Sequence, residues 1–406
     1  MMQDEPGRDA GPAKIGTDHS AMRARNERLV LSLIRRHGAL AKSEIARLTG
    51  LSAQTVSVIM RALEHDGLLI RGAPVRGKVG QPTVPISLAA DGAFFLGLKV
   101  GRRRSEMVLI DFLGRPCATT ARCHDYPTPE ATLRFARTSI TELTATLPEP
   151  LRHRIFGLGI GLPYQLWQWA DALDVPEAAM AAWRHHDIRA ELAAELPWPV
   201  LQENDGSAAC NAELVFGAAQ LPQDFAYAFL GFFIGGGLVL GGSMFAGHSG
   251  NAAALASMPV PDGTGGTRKL VDVASLAVLE ARLAANGHSG SFLWEATEGW
   301  LLAPDLLRDW LTEAAEGLAH AAAAATALCD LRALVIDGWL PQELRARLVT
   351  KTRAALARID LSGSRCPAVI EGGVGPQARV IGAATLPLSA RFLTEIAALP
   401  PSSTVG

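Results

Sequence analysis

The chain has 406 residues, 49% of them hydrophobic and 19% charged, which is enough apolar material for large cores and excludes a disordered polar chain. One domain usually spans about 100–200 residues, so a small module and a larger body of two subdomains are expected. The net charge of −2 is unevenly spread. Residues 23–89 hold 11 Lys and Arg against 4 Asp and Glu, a balance of +7, which leaves −9 elsewhere. This balance favours nucleic-acid contact at one end, although a solvated face could also carry it.

The five cysteines are scattered and form no C-x2-C pair, so neither a zinc site nor a disulfide framework is predicted. We expect buried free thiols in a reducing cytoplasm. Residues 1–22 begin with an acidic, Pro- and Gly-rich stretch that is unlike a signal peptide, and they are predicted to form a disordered tail. No run of about 18 apolar residues is free of polar interruptions, so no membrane span is expected. These features together predict a cytoplasmic protein.

Residues 42–69 have the pattern of two short helices joined by a turn. Ser43 is expected to cap the first helix, Gly50 to end it in the left-handed conformation, and Ser52 to cap the second. Apolar residues of the second helix recur at helical spacing and are predicted to face inward: Val56, Ile59 or Met60, and Leu63. An amphipathic helix over 26–37 precedes this pair. Two short strands that flank the turn 76–82 follow it, which completes a winged helix-turn-helix.

The outward face of the second helix carries small polar residues and one arginine, a composition that suits the floor of a DNA major groove. The open alternative is an ordinary helical hairpin in a core. Sequence choice is expected from Gln54, Thr55, Ser57 and Arg61, and affinity from basic contacts to phosphate. The full set of predicted DNA-binding residues is Lys42, Ser52, Gln54, Thr55, Ser57 and Arg61 on the helices, and Arg76, Lys78 and Gln81 in the wing.

From residue 94 onward, strand and helix patterns alternate, which predicts an α/β body. Strands are predicted at 95–100, 105–112, 116–120, 155–162, 200–202, 227–233, 238–244, 333–336 and 368–371. Helices are predicted at 128–147, 188–196, 271–285, 306–328, 341–357 and from 377 onward.

Several motifs then coincide in order and spacing: the wing GKVGQP, GLGIGLP at 157–163, the segment PVLQENDGSAACNAEL, the segment GGGLVLGGSMFAGHSG, and the closing GPQARVIGAATLPL. On these motifs the chain resembles the ROK family (repressors, open reading frames and kinases), in its transcriptional-regulator branch, over residues 23 to 390. The resemblance implies an actin-like, ribonuclease H-type body of two α/β subdomains around a cleft. The expected division is a tail at 1–22, a winged helix-turn-helix domain at 23–89, a first subdomain at 90–205 plus 378–406, and a second subdomain at 206–377.

The phosphate-handling positions of the family's kinases are altered in this chain. Lys99 stands where the kinases have Asp, and Arg103 where they have Thr. Phe232-Phe233 replaces the small residues of the second phosphate loop, and Asp337 and Trp339 replace the late double glycine. We expected Asp337 to repel phosphate and Trp339 to crowd it. These changes argue against ATP use, so no catalytic residues and no cofactor are predicted.

The sugar side of the cleft is altered as well. Asn204-Asp205 is retained where the resemblance places a sugar-contacting pair, but the E-x-G-H signature aligns with residues 254–257, ALAS. That His is also a zinc ligand in family members, so no metal is predicted, and His248 is interpreted as a solvent-exposed loop residue. The predicted ligand-binding residues are Tyr164, Trp167, His185, Asn204 and Asp205. The alternatives left open are that Asp205 is a plain helix cap and that the tryptophans, Trp183 above all, pack a subdomain interface.

Together, these features predict a transcriptional regulator, not an enzyme, which represses carbohydrate or other carbon-source genes. Its predicted partners are double-stranded operator DNA, a second copy of the chain in a homodimer or homotetramer, and a small-molecule effector such as a sugar or sugar derivative. One alternative is a regulator that no longer binds a sugar and is controlled by a protein partner. A second alternative is a sugar kinase with an added DNA-binding module.

Overall fold

A computed structural model describes residues 19–75, 83–170, 175–217, 221–298, 300 and 304–394. The helices are α1 His19–His37, α2 Lys42–Thr49, α3 Ala53–His65, α4 Pro129–Thr146, α5 Glu177–Ala181, α6 Ile188–Glu195, α7 Asp205–Phe216, α8 Val271–Ala274, α9 Leu276–Ala285, α10 Phe292–Glu295, α11 Pro304–Cys329, α12 Gln342–Leu356 and α13 Ala378–Phe392. The strands are β1 Ala39–Leu40, β2 Leu69–Arg71, β3 Ile86–Leu88, β4 Phe94–Lys99, β5 Arg104–Asp111, β6 Pro116–Cys123, β7 Ile155–Leu162, β8 Val200–Asn204, β9 Phe225–Leu230, β10 Gly235–Leu240, β11 Ser243–Met244, β12 Pro259–Pro261, β13 Thr267–Lys269, β14 Ala333–Gly338 and β15 Ala368–Glu371.

The N-terminal module consists of α1, α2 and α3 with a small sheet in the order β1-β3-β2. Helix α1 begins at His19, earlier than predicted, so residues 19–22 are helical although we expected them in the tail. The rest of the predicted tail, 1–18, lies outside the described residues. Ser43 does not cap α2, because the helix already begins at Lys42 and the Ala41 N–H donates to Glu44 Oε2 at 2.7 Å.

The turn between α2 and α3 has the predicted geometry. Gly50 has φ of 69°, a left-handed conformation that ends α2 without steric cost. The Thr55 N–H donates to Ser52 Oγ at 3.1 Å, which satisfies one of the free donors at the start of α3. Val56, Ile59, Met60 and Leu63 are buried as predicted. The module is therefore the predicted winged helix-turn-helix.

The body contains two mixed five-stranded sheets within the described residues, in the orders β6-β5-β4-β7-β8 and β11-β10-β9-β14-β15. In the first sheet β4, β7 and β8 run parallel, and β5 and β6 return antiparallel. The second sheet repeats this arrangement, with β9, β14 and β15 parallel and β10 antiparallel to β9. This is the predicted two-subdomain α/β body. No helix in the described part of the chain is long and apolar enough to cross a membrane.

Helix α13 lies against both the first sheet and α7, and glycines make that approach close. A Cβ at Gly97 on β4 or at Gly159 on β7 would collide with the α13 backbone, and a Cβ at Gly382 would collide with the backbone of Ala208 on α7. Only glycine leaves room for backbone at these distances. The glycine motif at 157–161 is thus explained by the packing of α13 on the sheet.

The N-terminal module shares one hydrophobic core with the body. The core continues from Ile34, Ile45 and Val56 in the module to Phe112 and Phe392 in the body. The Phe392 ring lies 5.0 Å from Phe112, 5.4 Å from Phe156 and 5.9 Å from Phe95, between centroids. The last turn of α13 therefore packs directly on the module.

A half-buried arginine reinforces this junction. Arg35 of α1 donates from Nη2 to the Phe112 carbonyl oxygen at 2.6 Å, and its guanidinium lies 5.1 Å from the Phe112 ring and 5.3 Å from the Phe216 ring. Burial lowers the pKa of Arg35 to about 10, against the opposing effect of Asp111. The Thr394 N–H also donates to Ser32 Oγ of α1 at 3.0 Å.

Two sequence-based predictions about the body are wrong in detail. The helix predicted over 271–285 is interrupted at Ser275, which is extended and whose Oγ accepts the Ile234 N–H. The break lets Leu276 and Ala277 donate to the carbonyl oxygens of Gly231 and Phe232. The cysteines are free, but Cys117, Cys123 and Cys366 are exposed, whereas Cys210 is buried.

Replacing Phe392 with alanine tests the shared core. Because the ring is 6% exposed and contacts three other phenylalanines, Phe392→Ala should lower the free energy of unfolding by about 3–5 kcal/mol, measured by urea denaturation. Leu328→Ala, at a side chain that is 85% exposed, is the control and should change it by less than about 0.5 kcal/mol. A Phe392→Ala protein as stable as this control would contradict a core shared by module and body.

Candidate functional site

Helix α3 presents the predicted DNA-contacting face to solvent. Gln54 and Arg61 are exposed, and Thr55 and Ser57 are half-buried on the same side. Arg61 Nε donates to the Ser57 carbonyl oxygen at 3.2 Å, and no carboxylate within the described residues pairs with its guanidinium. Amide, hydroxyl and guanidinium groups of this kind can form hydrogen bonds with base edges.

The other residues predicted to contact DNA are Lys42, Ser52 and the wing residues. Lys42 is half-buried in the first turn of α2, and Ser52 caps α3 with its hydroxyl 2.8 Å from Thr55 Oγ1. The wing residues Arg76, Lys78 and Gln81 lie outside the described residues. The chain on either side of that segment pairs in an antiparallel bridge between Val75 and Thr83, as expected for a wing.

The cleft between the two sheets is closed at its base by a buried ion pair. Asp205, at the first position of α7, is 6% exposed, and its Oδ2 lies 3.3 Å from Arg379 Nε on α13. Asn204 is the helix cap, since its Oδ1 accepts the N–H groups of Gly206 and Ser207 at 2.9 and 3.3 Å. The interpretation of Asp205 as a plain cap is therefore wrong, and both predicted polar ligand contacts already have partners in the protein.

The other predicted ligand residues are spread along one wall of the first subdomain. Tyr164 is 41% exposed, Trp167 packs half-buried against the core of the first sheet, and His185 is exposed. The hydrogen bonds and ring contacts of the described residues join none of these three to Asp205. Trp183 is buried and donates from Nε1 to the Pro127 carbonyl oxygen at 2.9 Å, which is a packing role.

Aromatic rings and guanidinium groups stack at the positions that, by the family resemblance, correspond to the phosphate loops of the kinases. The Arg102 guanidinium lies 3.8 Å from the Trp169 ring centroid and 4.5 Å from that of Phe233, and the two rings themselves stack at 4.5 Å. Arg103 lies over Phe232 at 5.6 Å, and Phe232 contacts Phe233 at 4.7 Å. The stack joins the two subdomains, because Arg102 and Trp169 follow strands of the first sheet and Phe233 follows β9 of the second.

The sequence analysis assigned no role to Arg102, Arg379 or Trp169. The run Gly101-Arg102-Arg103-Arg104 was a visible signal for the first of these residues. No local pattern pointed to Arg379, whose partner Asp205 is far away in the chain.

Lys99, which stands at the kinase Asp position, is neutralised locally. Its Nζ lies 3.0 Å from Glu106 Oε2, and Arg104 Nε lies 3.2 Å from the other oxygen of the same carboxylate. Burial acts to raise the pKa of Glu106, but the two cations outweigh it and hold that pKa below its usual value. This carboxylate is therefore ionised and shared between two basic residues.

Asp337 does not face the cleft, so our expectation that it repels phosphate is wrong. Its fully buried carboxylate accepts hydrogen bonds from Arg345 Nη1 at 3.1 Å, the Tyr227 hydroxyl at 3.1 Å and the Gly375 N–H at 2.9 Å. Burial raises the pKa of Asp337, although Arg345 and the hydrogen bonds oppose this effect. Trp339 does line the cleft, with its Nε1 donating to the Leu293 carbonyl oxygen at 2.7 Å.

The segment that aligns with the family's sugar-gripping signature is apolar. Leu255 is buried within the short 3-10 turn Leu255–Ser257, and His248 is exposed, as interpreted from the sequence. Among the described residues, no group of three or more His, Cys, Asp or Glu side chains could hold a metal ion.

Two family profiles match this chain. A profile described as ROK family matches residues 95–389, and one described as winged helix-turn-helix DNA-binding matches residues 23–70. Among curated proteins, the uncharacterized protein y4fQ of Sinorhizobium fredii is 27% identical, over 91% of this chain and 92% of its own length. The xylose repressor of Bacillus subtilis is 22% identical over 60% of this chain, and the match spans 62% of the repressor.

Two solved structures share the fold. A ROK family transcriptional regulator, a homolog of the E. coli MLC protein, superposes with a TM-score of 0.65 at 20% identity, covering 91% of this chain and 97% of its own. A ROK family glucokinase from Streptomyces griseus, in complex with glucose and AMPPNP, gives a TM-score of 0.56 at 23% identity, covering 72% of this chain and 99% of its own. Of these two structures, the regulator covers the larger share of this chain.

Replacing Arg345 with methionine tests the buried carboxylate cluster. The Asp337 carboxylate would remain buried without its counter-charge, so Arg345→Met should lower the free energy of unfolding at neutral pH by about 3–5 kcal/mol. The pKa of Asp337, already raised, would rise further, so the folded state would take up a proton more readily than the unfolded state. The loss should therefore be largest above that raised pKa and shrink as the pH falls through it.

The matched control for this experiment is Arg358→Met. Arg358 pairs with Glu316 at 3.4 Å, and both side chains are more than half exposed. Exposed pairs of this kind contribute at most about 1 kcal/mol. The free energy of unfolding of the control, measured by urea denaturation, should therefore be close to that of wild type at neutral and at acidic pH. An Arg345→Met loss that does not depend on pH would contradict the assigned role of Asp337.

Proposed function

This chain belongs to the ROK family, in its transcriptional-regulator branch, and from that membership we propose that it represses carbohydrate or other carbon-source genes without transferring phosphate. The observation that carries the proposal is the exposed polar face of α3, at the end of a chain whose kinase-like cleft is filled by its own side chains. The xylose repressors among its relatives support the gene class.

The proposed DNA contacts are those of the helices and the wing. Gln54, Thr55, Ser57 and Arg61 would form contacts with base edges, while Lys42, the Ser52 hydroxyl and the wing residues Arg76, Lys78 and Gln81 would form contacts with phosphates or the minor groove. One such module buries little surface, so two copies of the chain, as a homodimer or within a homotetramer, would be needed for a specific palindromic site.

Phosphoryl transfer requires small residues around the phosphates and a metal-binding carboxylate. In this cleft the Arg102 stack takes the place of the small residues around the phosphates. Lys99, paired with Glu106, takes the place of the metal-binding carboxylate. Asp205, the catalytic base that the family resemblance implies, faces Arg379 rather than open space. These three features support a body that senses and does not catalyse.

The proposed effector residues are Tyr164, Trp167, His185, Asn204 and Asp205. The partnered state of Asn204 and Asp205 also supports the second candidate, a regulator that has lost sugar binding and responds to a protein partner. A thermal-shift screen with sugars, sugar phosphates, sugar acids and polyols separates the two candidates, because only the first predicts stabilisation by one of these small molecules.

Helix α13 offers a direct route from the cleft to the DNA-binding module. Near its start, Arg379 pairs with Asp205 and donates to the Phe233 carbonyl oxygen at 3.1 Å. At its end, about 20 Å from Arg379 along the helix axis, Phe392 packs in the core that includes α1. We propose that a change at Arg379 shifts α13 as a unit and thereby re-aims α3.

Substitutions on α3 test the DNA-reading assignment. Gln54→Ala or Arg61→Ala should reduce the discrimination between operator and random DNA by about 1–3 kcal/mol, because each removes a base contact. Lys78→Ala should weaken binding to both DNAs alike and lower the salt slope by about one. Footprinting and titration at several salt concentrations measure both effects.

The matched control is Arg122→Gln, which removes an exposed positive charge from β6 in the body. It should leave both specificity and affinity close to wild type. Unchanged specificity in both the Gln54→Ala and Arg61→Ala proteins would show that α3 is not the reading helix.

A coupled assay tests the absence of phosphoryl transfer. With purified protein, ATP, magnesium and a broad panel of sugars, ADP release should stay at background, because the stack at Arg102 excludes the phosphates. Sugar-dependent ADP release that disappears in Asp205→Asn would identify a kinase and contradict the proposal.

A further inference from the structure

We propose that the cleft between the two sheets binds a small oxyanion, the carboxylate or phosphate group of an effector, through Arg102, Arg103 and Arg379. The inference rests on the proposed function, since it names the chemical class of effector for the same cleft. The proposed site differs from the sugar site implied by the family resemblance. Its ligand-binding groups are arginine cations, whereas the implied sugar site uses neutral and acidic side chains.

The charges that line the cleft do not balance. Lys99, Arg102, Arg103, Arg104 and Arg379 contribute five positive charges. Their carboxylate partners are Glu106, which is shared by Lys99 and Arg104, and Asp205, which is paired with Arg379. Five positive charges against two negative charges leave an excess of three. Buried charges are normally paired, so the site lacks anionic partners.

Arg102 is the least compensated of these groups. It is 6% exposed, and no described carboxylate lies within ion-pair distance of its guanidinium. Its close contacts are the faces of Trp169 and Phe233, which attract a cation but accept no strong hydrogen bond. Burial lowers its pKa to about 9, Asp205 opposes this, and Arg379 adds to it. A bound anion would offset the cost of burying the Arg102 charge and would weaken its repulsion by Arg379.

Hydrogen-bonding capacity in the cleft is also unused. The Nε atoms of Arg102, Arg103 and Arg379 are buried and have no hydrogen-bond partner within the described structure, and the same holds for Asp205 Oδ2. The Nε–H groups of Arg102 and Arg103 are therefore unused, and that of Arg379 faces only the Asp205 carboxylate, with which it forms an ion pair but no hydrogen bond. Charge-assisted bonds from guanidinium to carboxylate or phosphate are the strong pairings for such donors.

The free space fits the head group of such a ligand. A cavity of about 40 Å³ is lined by the arginines together with Phe229, Gly231, Phe232 and Trp339. One ordered water needs roughly 10–15 Å³ on this measure, so the cavity holds about three waters. A carboxylate or phosphate group could replace these waters, whereas a nucleotide could not enter without displacing the stack.

The decisive experiment titrates wild-type protein with D-gluconate, inorganic phosphate and D-glucose at constant ionic strength, by thermal shift and calorimetry. Gluconate or phosphate, or both, should bind saturably and raise the melting temperature, while glucose should not. Binding of gluconate alone assigns the head group to a carboxylate, and binding of phosphate alone assigns it to a phosphate group. If neither anion binds above the chloride control, or if glucose binds equally well, the proposal is overturned.

Two substitutions should change the affinity for the anion in opposite directions. Arg102→Gln should weaken anion binding about tenfold or more, since it removes the uncompensated cation. Asp205→Asn should strengthen it, because the lost carboxylate competes for Arg379. A neutral ligand that uses Asp205 as an acceptor predicts the reverse, so weaker binding in Asp205→Asn overturns the anion assignment. Arg103→Gln replaces Arg102→Gln if the latter does not fold, and it should also weaken binding.

Arg365→Gln is the control for general charge effects, because Arg365 is exposed in the segment before β15 and does not line the cavity. It should bind the anion like wild type, and equal weakening in this variant would mean nonspecific screening. Footprinting of operator DNA by the ligand-free protein tests the proposed function separately. Specific DNA binding without anion binding refutes only the present inference, while anion binding without specific DNA binding refutes the regulator.

Discussion

The close packing of helix α13 on the first sheet is the constraint on which the other contacts depend. Glycines at 97 and 159 let the helix backbone lie against the strands, and Gly382 lets it lie against α7. Protein interiors are packed at crystal-like density, so a shift at one end of this closely held helix is transmitted to its other end. Arg379 at the cleft and Phe392 at the N-terminal module therefore lie on one packed helix, in which Pro387 removes one backbone hydrogen-bond donor between them.

That constraint explains why the DNA-binding module is not a tethered appendage. The core that begins in α1, α2 and α3 continues into Phe112 and Phe392, and Arg35 adds a hydrogen bond and two ring contacts across the junction. Buried apolar area of this kind resists separation of the two parts. A change of DNA affinity would thus come from a tilt of packed elements rather than from release of a free domain.

If the proposals above hold, the cleft of a fold shared with kinases has exchanged phosphate transfer for the binding of an anion. The same positions that would need small or acidic residues for Mg-bound phosphates now hold Arg102, Arg103 and a pair of phenylalanines. The rings shield the guanidinium groups from water and so strengthen their attraction for an anion in the remaining space.

The sequence by itself determined the features that depend on neighbours along the chain. Gly50 marks the end of α2 and Ser52 the start of α3, and apolar periodicity identified the buried side of α3. Strands β7 and β15 have the predicted bounds. Tertiary structure alone decided the pairing of Asp205 with Arg379, the stack of Arg102 on Trp169 and Phe233, and the inward turn of Asp337. Those contacts join residues distant in sequence, and their strength depends on burial and on three-dimensional charge balance, neither of which local periodicity encodes.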